Sequence, residues 1–122
     1  MSKKVLAVDD RVSGRELTRT VLEYSGHLVF EATNGIETVR IARELTPDLI
    51  LFDPHTPGID GFGLLKTLRQ DPASRGTLIV ALTSSARSGD RERVLSAGFD
   101  AYISKPIPPN LLRGEVDVLL GL

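Results

Sequence analysis

The sequence predicts an α/β protein, a doubly wound parallel sheet with helices on both faces. Three observations carry this. Five short apolar runs, 5–8, 27–32, 49–52, 78–82 and 101–103, recur along the 122 residues. Segments of helical period separate them. The first, third and fourth runs are nearly continuous in Val, Ile, Leu, Ala and Phe, as expected of strands buried on both faces. Short connections and the right-handed crossover rule then leave a doubly wound sandwich as the simplest arrangement.

After the first strand, Ser13-Gly14-Arg15-Glu16 has the form of a capping box, with Ser13 as the cap. The helix it opens should bury Leu17, Val21 and Tyr24 and stop at Gly26. The mixed run 27–32 reads as an edge strand. Asn34-Gly35 often marks a hairpin, but the residues after it have helical period, so it reads as a strand-to-helix turn. Ile36, Val39 and Ala42 form the expected inner stripe of the second helix, which ends at Thr46-Pro47. The third helix begins after Asp60-Gly61, carries Leu64, Leu65 and Leu68, and stops before Asp71-Pro72. The fourth, 88–97, is charged and ends at Gly98; Arg87, Arg91 and Arg93 read there as a solvated face. The short run 101–103 is a second edge strand. Pro108-Pro109 opens the fifth helix, where proline suits a first turn, and Leu112, Val116 and Leu119 form its stripe. Leu111, Val118 and Leu120 fall outside that stripe and hint at a partner surface, while Gly114 loosens the helix by ~1 kcal/mol relative to Ala.

Length gives one domain, 1–122, able to bury roughly two thirds of its unfolded surface. Apolar residues at 41% and charged residues at 25% are ordinary for a globular protein. A net charge of -1 implies no strong attraction to nucleic acid or an anionic membrane. The absence of cysteine excludes disulfides, thiolate zinc sites and cysteine nucleophiles. The apolar runs are too short for a secretory signal or a bilayer span, so no membrane insertion and a cytoplasmic location are expected.

The polar residues fall at one edge of this frame. Asp9-Asp10 follows the first strand, Asp53 ends the third, Thr83 ends the fourth and Lys105 follows the fifth. All are carboxyl ends of strands, the edge at which open α/β sheets bind ligands. Three ionised carboxylates crowded there repel one another, and a hard divalent cation such as Mg²⁺ relieves this while leaving room for a phosphate. Asp53 can then act as a nucleophile toward phosphorus, with Lys105 and Thr83 serving the phosphoryl oxygens. Each residue also has a plainer reading: a solvated turn for Asp9-Asp10, a solvated lysine for Lys105, a β-branched strand residue for Thr83.

The stretches "VLAVDD", "PDLILFD" with "PGIDG" beyond it, "ALTSSA" and "YISKP", in this order and spacing, resemble the receiver domain of two-component response regulators over essentially the whole chain. The resemblance implies a flavodoxin-like sheet in the order 2-1-3-4-5, flanked by five helices. It implies that Asp53 is the phosphoacceptor and that Asp9, Asp10, Asp53 and the backbone of His55 hold Mg²⁺. Thr83 would be the switch hydroxyl, with Ser84 and Ser85 beside it, Tyr102 the switch aromatic, and Lys105 the site lysine before a cis bond to Pro106. A free X–Pro bond makes such a turn accessible. Tyr102 also has the plainer reading of an edge residue with its hydroxyl in water.

The implied function is a phosphorelay switch. It is not an enzyme in the ordinary sense, but a phosphoacceptor that catalyses its own phosphorylation and slow dephosphorylation. The donor would be a sensor histidine kinase or a histidine phosphotransfer protein. The output would be a downstream protein meeting the face of the fourth helix, fifth strand and fifth helix, with a transient homodimer allowed and no direct nucleic-acid contact. The Met1 start and the short tail after the fifth helix favour a stand-alone receiver.

"DPHTPG" departs from the family's usual loop. Pro54 directly follows the acceptor, and Thr56 stands where an apolar residue is common. His55 and Ser85 border the path of a hydrolytic water, where His55 could assist or obstruct it, or else be a solvated loop residue. These departures keep a phosphorylation-impaired docking scaffold as the alternative. An aspartate-nucleophile phosphatase is disfavoured, because such enzymes place a second aspartate where this chain has His55.

Overall fold

The computed structural model describes residues 2–84 and 88–122. Strands and helices alternate: β1 (Lys4–Val8), α1 (Val12–Tyr24), β2 (Leu28–Ala32), α2 (Gly35–Leu45), β3 (Leu49–Phe52), α3 (Gly61–Gln70), β4 (Leu78–Thr83), α4 (Asp90–Ala97), β5 (Ala101–Ser104) and α5 (Pro109–Leu119). The five strands form one sheet in the order β2-β1-β3-β4-β5, and every pair is parallel. The continuous apolar runs are the interior strands, and the two mixed runs are the edges, as expected.

Side chains that alternate across a strand feed two separate cores. Leu6, Val8, Ile50, Phe52, Ile79 and Ala81 face one way, where Ile41 and Ala42 of α2, Leu64, Leu65 and Leu68 of α3 and Val94 of α4 cover them. Val5, Ala7, Leu49, Leu51, Val80 and Leu82 face the other way, beneath Val21 and Leu22 of α1 and Leu112 and Val116 of α5. This is why β3 must be apolar at every position: all four of its residues are buried.

Two helix stripes differ from the sequence reading. In α1 the buried residues are Thr18, Val21 and Leu22, while Leu17 is 60% and Tyr24 81% exposed. In α2 they are Thr38, Ile41 and Ala42, while Ile36 is 87% exposed. In both cases a threonine takes the inward position. The Thr38 hydroxyl donates to the Asn34 carbonyl at 2.7 Å, so its polar atom is satisfied within the helix and its methyl group is free to pack. The Ser13 capping box does not form. Arg11 is the cap residue, and its amide donates to Asp9 Oδ1 at 2.9 Å, which starts α1 early and leaves Ser13 inside the first turn. The turn at Asn34 forms as expected, with the Asn34 side chain accepting from the Glu37 amide at 2.8 Å.

One close approach fixes the loop between β3 and α3. The Asp60 side chain caps α3 by accepting from the Gly63 amide, and this brings Gly61 against the backbone of Pro54. A Cβ at Gly61 would lie 2.3 Å from the Pro54 carbonyl oxygen and 2.4 Å from its Cα.

Urea unfolding checks both findings. Ile41→Ala should cost about 2–5 kcal/mol, whereas Ile36→Ser should stay within roughly 0.5 kcal/mol of the parent; similar losses at the two positions would restore the sequence-predicted stripe. Gly61→Ala should cost on the order of 1–3 kcal/mol, since backbone rather than a flexible side chain must yield; an unchanged midpoint would contradict this contact.

Candidate functional site

All five strands run the same way, so their carboxyl ends open on one edge. The chain turns from β1 outward to β2 and then back across to β3, which leaves a crevice beyond β1 and β3. A pocket of about 420 Å³ lies there, lined by Asp9, Asp10, Arg11, Asp53, His55, Thr56, Pro57, Thr83 and Ser84. Lys105 borders a small cleft shared with Asp9 and Asp53. Asp9, Asp10, Asp53, His55, Thr83, Ser84 and Lys105 are therefore brought to one edge, while Tyr102 and Pro106 lie outside these two cavities. Ser85 and Arg87 lie outside the described residues.

Asp9 is held by its surroundings. Its amide donates to the Ala32 carbonyl at 3.1 Å, and its own carbonyl accepts from Arg15 Nη1 at 2.9 Å. Carboxylate Oδ1 accepts from the Arg11 amide, with Arg11 Nε 3.5 Å away, while Oδ2 lies 3.9 Å from Lys105 Nζ. Gly14 makes room for that carboxylate, since a Cβ there would fall 2.2 Å from Oδ2. Asp10 stands exposed on the rim.

Asp53 begins a tight turn rather than an irregular loop. Its carbonyl accepts from the Thr56 amide at 3.1 Å and from the Thr56 hydroxyl at 2.8 Å. Aspartate at the first position and proline at the second are favoured in such turns. Pro54 thus suits the backbone it occupies, and Thr56, which is buried, supplies a hydroxyl to the turn where an apolar residue would only pack. The carboxylate Oδ1 of Asp53 accepts from the His55 amide at 2.8 Å.

Thr83, fully buried at the end of β4, is paired in register with Ser104, and its carbonyl accepts from the Lys105 amide at 2.8 Å. The Lys105–Pro106 peptide is cis, as expected. Two residues depart from their plainer readings. His55 is an exposed turn residue, but its ring is not free in solvent: Nε2 lies 2.8 Å from Asp90 Oδ1, and the ring meets Phe62 edge-on at 6.1 Å. Tyr102 does not leave its hydroxyl in water but donates it to Asp90 Oδ2 at 2.9 Å.

Asp90, the first residue of α4, is the participant that the sequence did not disclose. Its side chain is 1% exposed and also accepts from Arg93 at 2.8 Å. Burial pushes its carboxyl upward, but hydrogen bonds from His55, Tyr102 and Arg93 outweigh this and hold it below the usual carboxylate range. Burial, together with the neighbouring Asp90 carboxylate, raises the Tyr102 phenol. An acidic residue after Gly89 reads only as a favourable helix start. Of the predicted solvated arginines, Arg91 lies over the Tyr102 ring at 6.0 Å and Arg93 over Phe62 at 5.7 Å.

The donor set of Asp9, Asp10 and Asp53 with the His55 carbonyl is hard oxygen throughout, which fits Mg²⁺. Among the described residues, no three acidic or histidine side chains already converge as a metal cage. Asp9 is engaged by Arg11 and Lys105, so it must turn to join such a set.

The family model for the response regulator receiver domain matches residues 5–117. The polar-differentiation response regulator DivK of Brucella anthropi is 40% identical over 107 residues, covering 88% of this chain and 87% of its own. The chemotaxis response regulator CheY4 of Vibrio cholerae superposes with a TM-score of 0.88 at 28% identity, covering 98% of this chain and 99% of its own. The receiver domain of a Pseudomonas aeruginosa sensor histidine kinase, described with a magnesium ion coordinated in its active-site cleft, gives a TM-score of 0.88 at 30% identity over the full length of both chains. Sheet order, the acidic crevice and these likenesses agree, and the chain belongs to the response regulator receiver domain family.

Proposed function

We propose that Asp53 is the phosphoacceptor of this receiver and that a phosphohistidine on a sensor kinase or phosphotransfer protein is its donor. The observation that carries this reading is the placing of the Asp53 carboxylate at the crevice mouth, with Thr83, Lys105 and the His55 amide around it. An Asp53 oxygen attacks phosphorus, the P–N bond breaks, and its electron pair returns to the donor imidazole, which takes a proton from solvent. The products are an acyl phosphate and a free histidine. Lys105 balances charge on the phosphoryl oxygens, and the Thr83 hydroxyl and the His55 amide donate to them. Asp9, Asp10, Asp53 and the His55 carbonyl would hold Mg²⁺, whose Lewis acidity offsets the negative charge gathered on phosphorus. By the same chemistry the protein catalyses its own phosphorylation and, slowly, the hydrolysis that reverses it.

Drawing Thr83 toward the phosphoryl group disturbs the end of β4, where Thr83 pairs with Ser104 and, two residues earlier, Ala81 pairs with Tyr102 of β5. The output surface is then the α4-β5-α5 face. Leu111 and Val118 of α5 are 54% and 75% exposed and, with Ala101 and Gly114, line a shallow apolar depression of about 460 Å³. A downstream protein, or transiently a second copy, would bury it. Among the described residues no helix is long and apolar enough to cross a membrane, and the reading places the protein in the cytoplasm beside its kinase. A phosphatase reading is weakened because the His55 ring, at the position of the missing second aspartate, is committed to Asp90.

Incubation with acetyl phosphate and Mg²⁺ should add one phosphoryl group to the wild type by intact mass and none to Asp53→Asn. A stoichiometric adduct on Asp53→Asn would overturn the assignment. Chelation of divalent cations should slow the wild-type reaction by at least about 100-fold, the scale of a lost electrostatic contribution to the transition state; an unaffected rate would remove the metal from the account. Thr83→Ala should still accept the phosphoryl group yet lose the change in amide exchange across β5 and α5, and an unaltered exchange response would exclude Thr83 as the relay.

A further inference from the structure

We infer that Asp90 is a positioning residue of the switch: its buried carboxylate holds the His55 imidazole and the Tyr102 hydroxyl together, presetting the acceptor loop and keeping Tyr102 turned inward. The inference rests on the reading of Asp53 as phosphoacceptor and adds to it a second link between that residue and the output face.

The geometry is specific. One carboxylate receives donors from three separate elements: His55 in the loop after β3, Arg93 in α4 and Tyr102 in β5. The two oxygens divide this work, with His55 and Arg93 on Oδ1 and Tyr102 on Oδ2. The carboxylate is buried, and a chain of rings leads from its His55 partner back to β3. His55 packs on Phe62, Phe62 meets Phe99 at 6.4 Å, and Phe99 meets Phe52, the residue before Asp53, at 5.1 Å. A charge so enclosed is tolerated only while its donors stay in place, because losing a partner leaves an uncompensated buried carboxylate.

His55 makes this a relay. Its amide donates to Asp53 Oδ1 at 2.8 Å, and its imidazole reaches Asp90 Oδ1 at the same distance. The peptide that faces the phosphoryl group is thereby fixed at its other end to the first turn of α4 and, through Asp90, to Tyr102. A change at Asp53 that shifts the His55 peptide must either break the bond to Asp90 or carry α4 with it. By linkage, whatever holds Tyr102 inward through Asp90 also favours the loop geometry that accepts the phosphoryl group. This route runs along the β3–α3 side of the crevice, separate from the one through Thr83.

The test uses a Tyr24→Phe background, in which Tyr102 is the only tyrosine of the full chain. Adding Asp90→Asn should raise acrylamide quenching of Tyr102 fluorescence toward that of a free tyrosine. It should also slow phosphorylation by acetyl phosphate with Mg²⁺ at least about 5-fold, the low end of coupling between linked sites. A fold-stabilising role alone would lower the unfolding midpoint and move neither readout; either readout unmoved overturns the inference. If Asp90→Asn does not fold cooperatively, Tyr102→Phe decides, since it removes only the hydroxyl: a slower adduct supports the hold and a wild-type rate overturns it. A wild type that takes no phosphoryl group would refute Asp53 as acceptor, and this inference with it. An adduct on wild type, formed equally fast on Asp90→Asn, would refute the Asp90 hold alone.

Discussion

Like charges gathered at one sheet edge are the constraint on which the rest of this molecule depends. Parallel strands buried on both faces must end together, and here those ends deliver Asp9, Asp10 and Asp53 to a single crevice. Such a cluster persists only if positive charge answers it. Lys105 and Arg11 do so from within the chain, at the edge of β5 and the start of α1. Both reach Asp9, so the site is only partly neutralised and not closed. On the proposed reading, a divalent ion would supply the positive charge still needed, and a phosphoryl group would take the place that remains there.

The loop after β3 shows how an unusual sequence serves that site. Pro54 and Thr56 look like defects beside the family pattern, and together they build a turn. Proline suits its second position, and Thr56 binds the Asp53 carbonyl twice, through its amide and its hydroxyl. Gly61 lets the first turn of α3 lie directly on Pro54, so the turn is braced from behind. Preorganisation of this kind is the part of catalysis that a scaffold supplies in advance.

The strands and their order were legible because apolar runs of this length leave few arrangements. Asp53, Thr83 and Lys105 were legible because each follows or ends such a run, so their convergence needed only the parallel topology. The helix faces were less so. Thr18 and Thr38 look polar in sequence yet face inward, which turns Leu17 and Ile36 out to solvent. Asp90 was hidden for a different reason. Its partners come from positions 55, 93 and 102, and no local pattern records that a helix-opening aspartate will be buried among them. Contacts between elements, rather than within them, are what a single sequence conceals.

Function then reduces to whether one acidic oxygen, steadied by a braced turn and ringed by donors, is the atom that bonds to phosphorus. Borohydride reduction of the phosphorylated protein followed by peptide mapping addresses this directly, because an acyl phosphate is reduced to the alcohol. The account predicts homoserine at position 53 and at no other. Homoserine at another acidic position, or an acid-stable phosphoester that borohydride leaves intact, would contradict it.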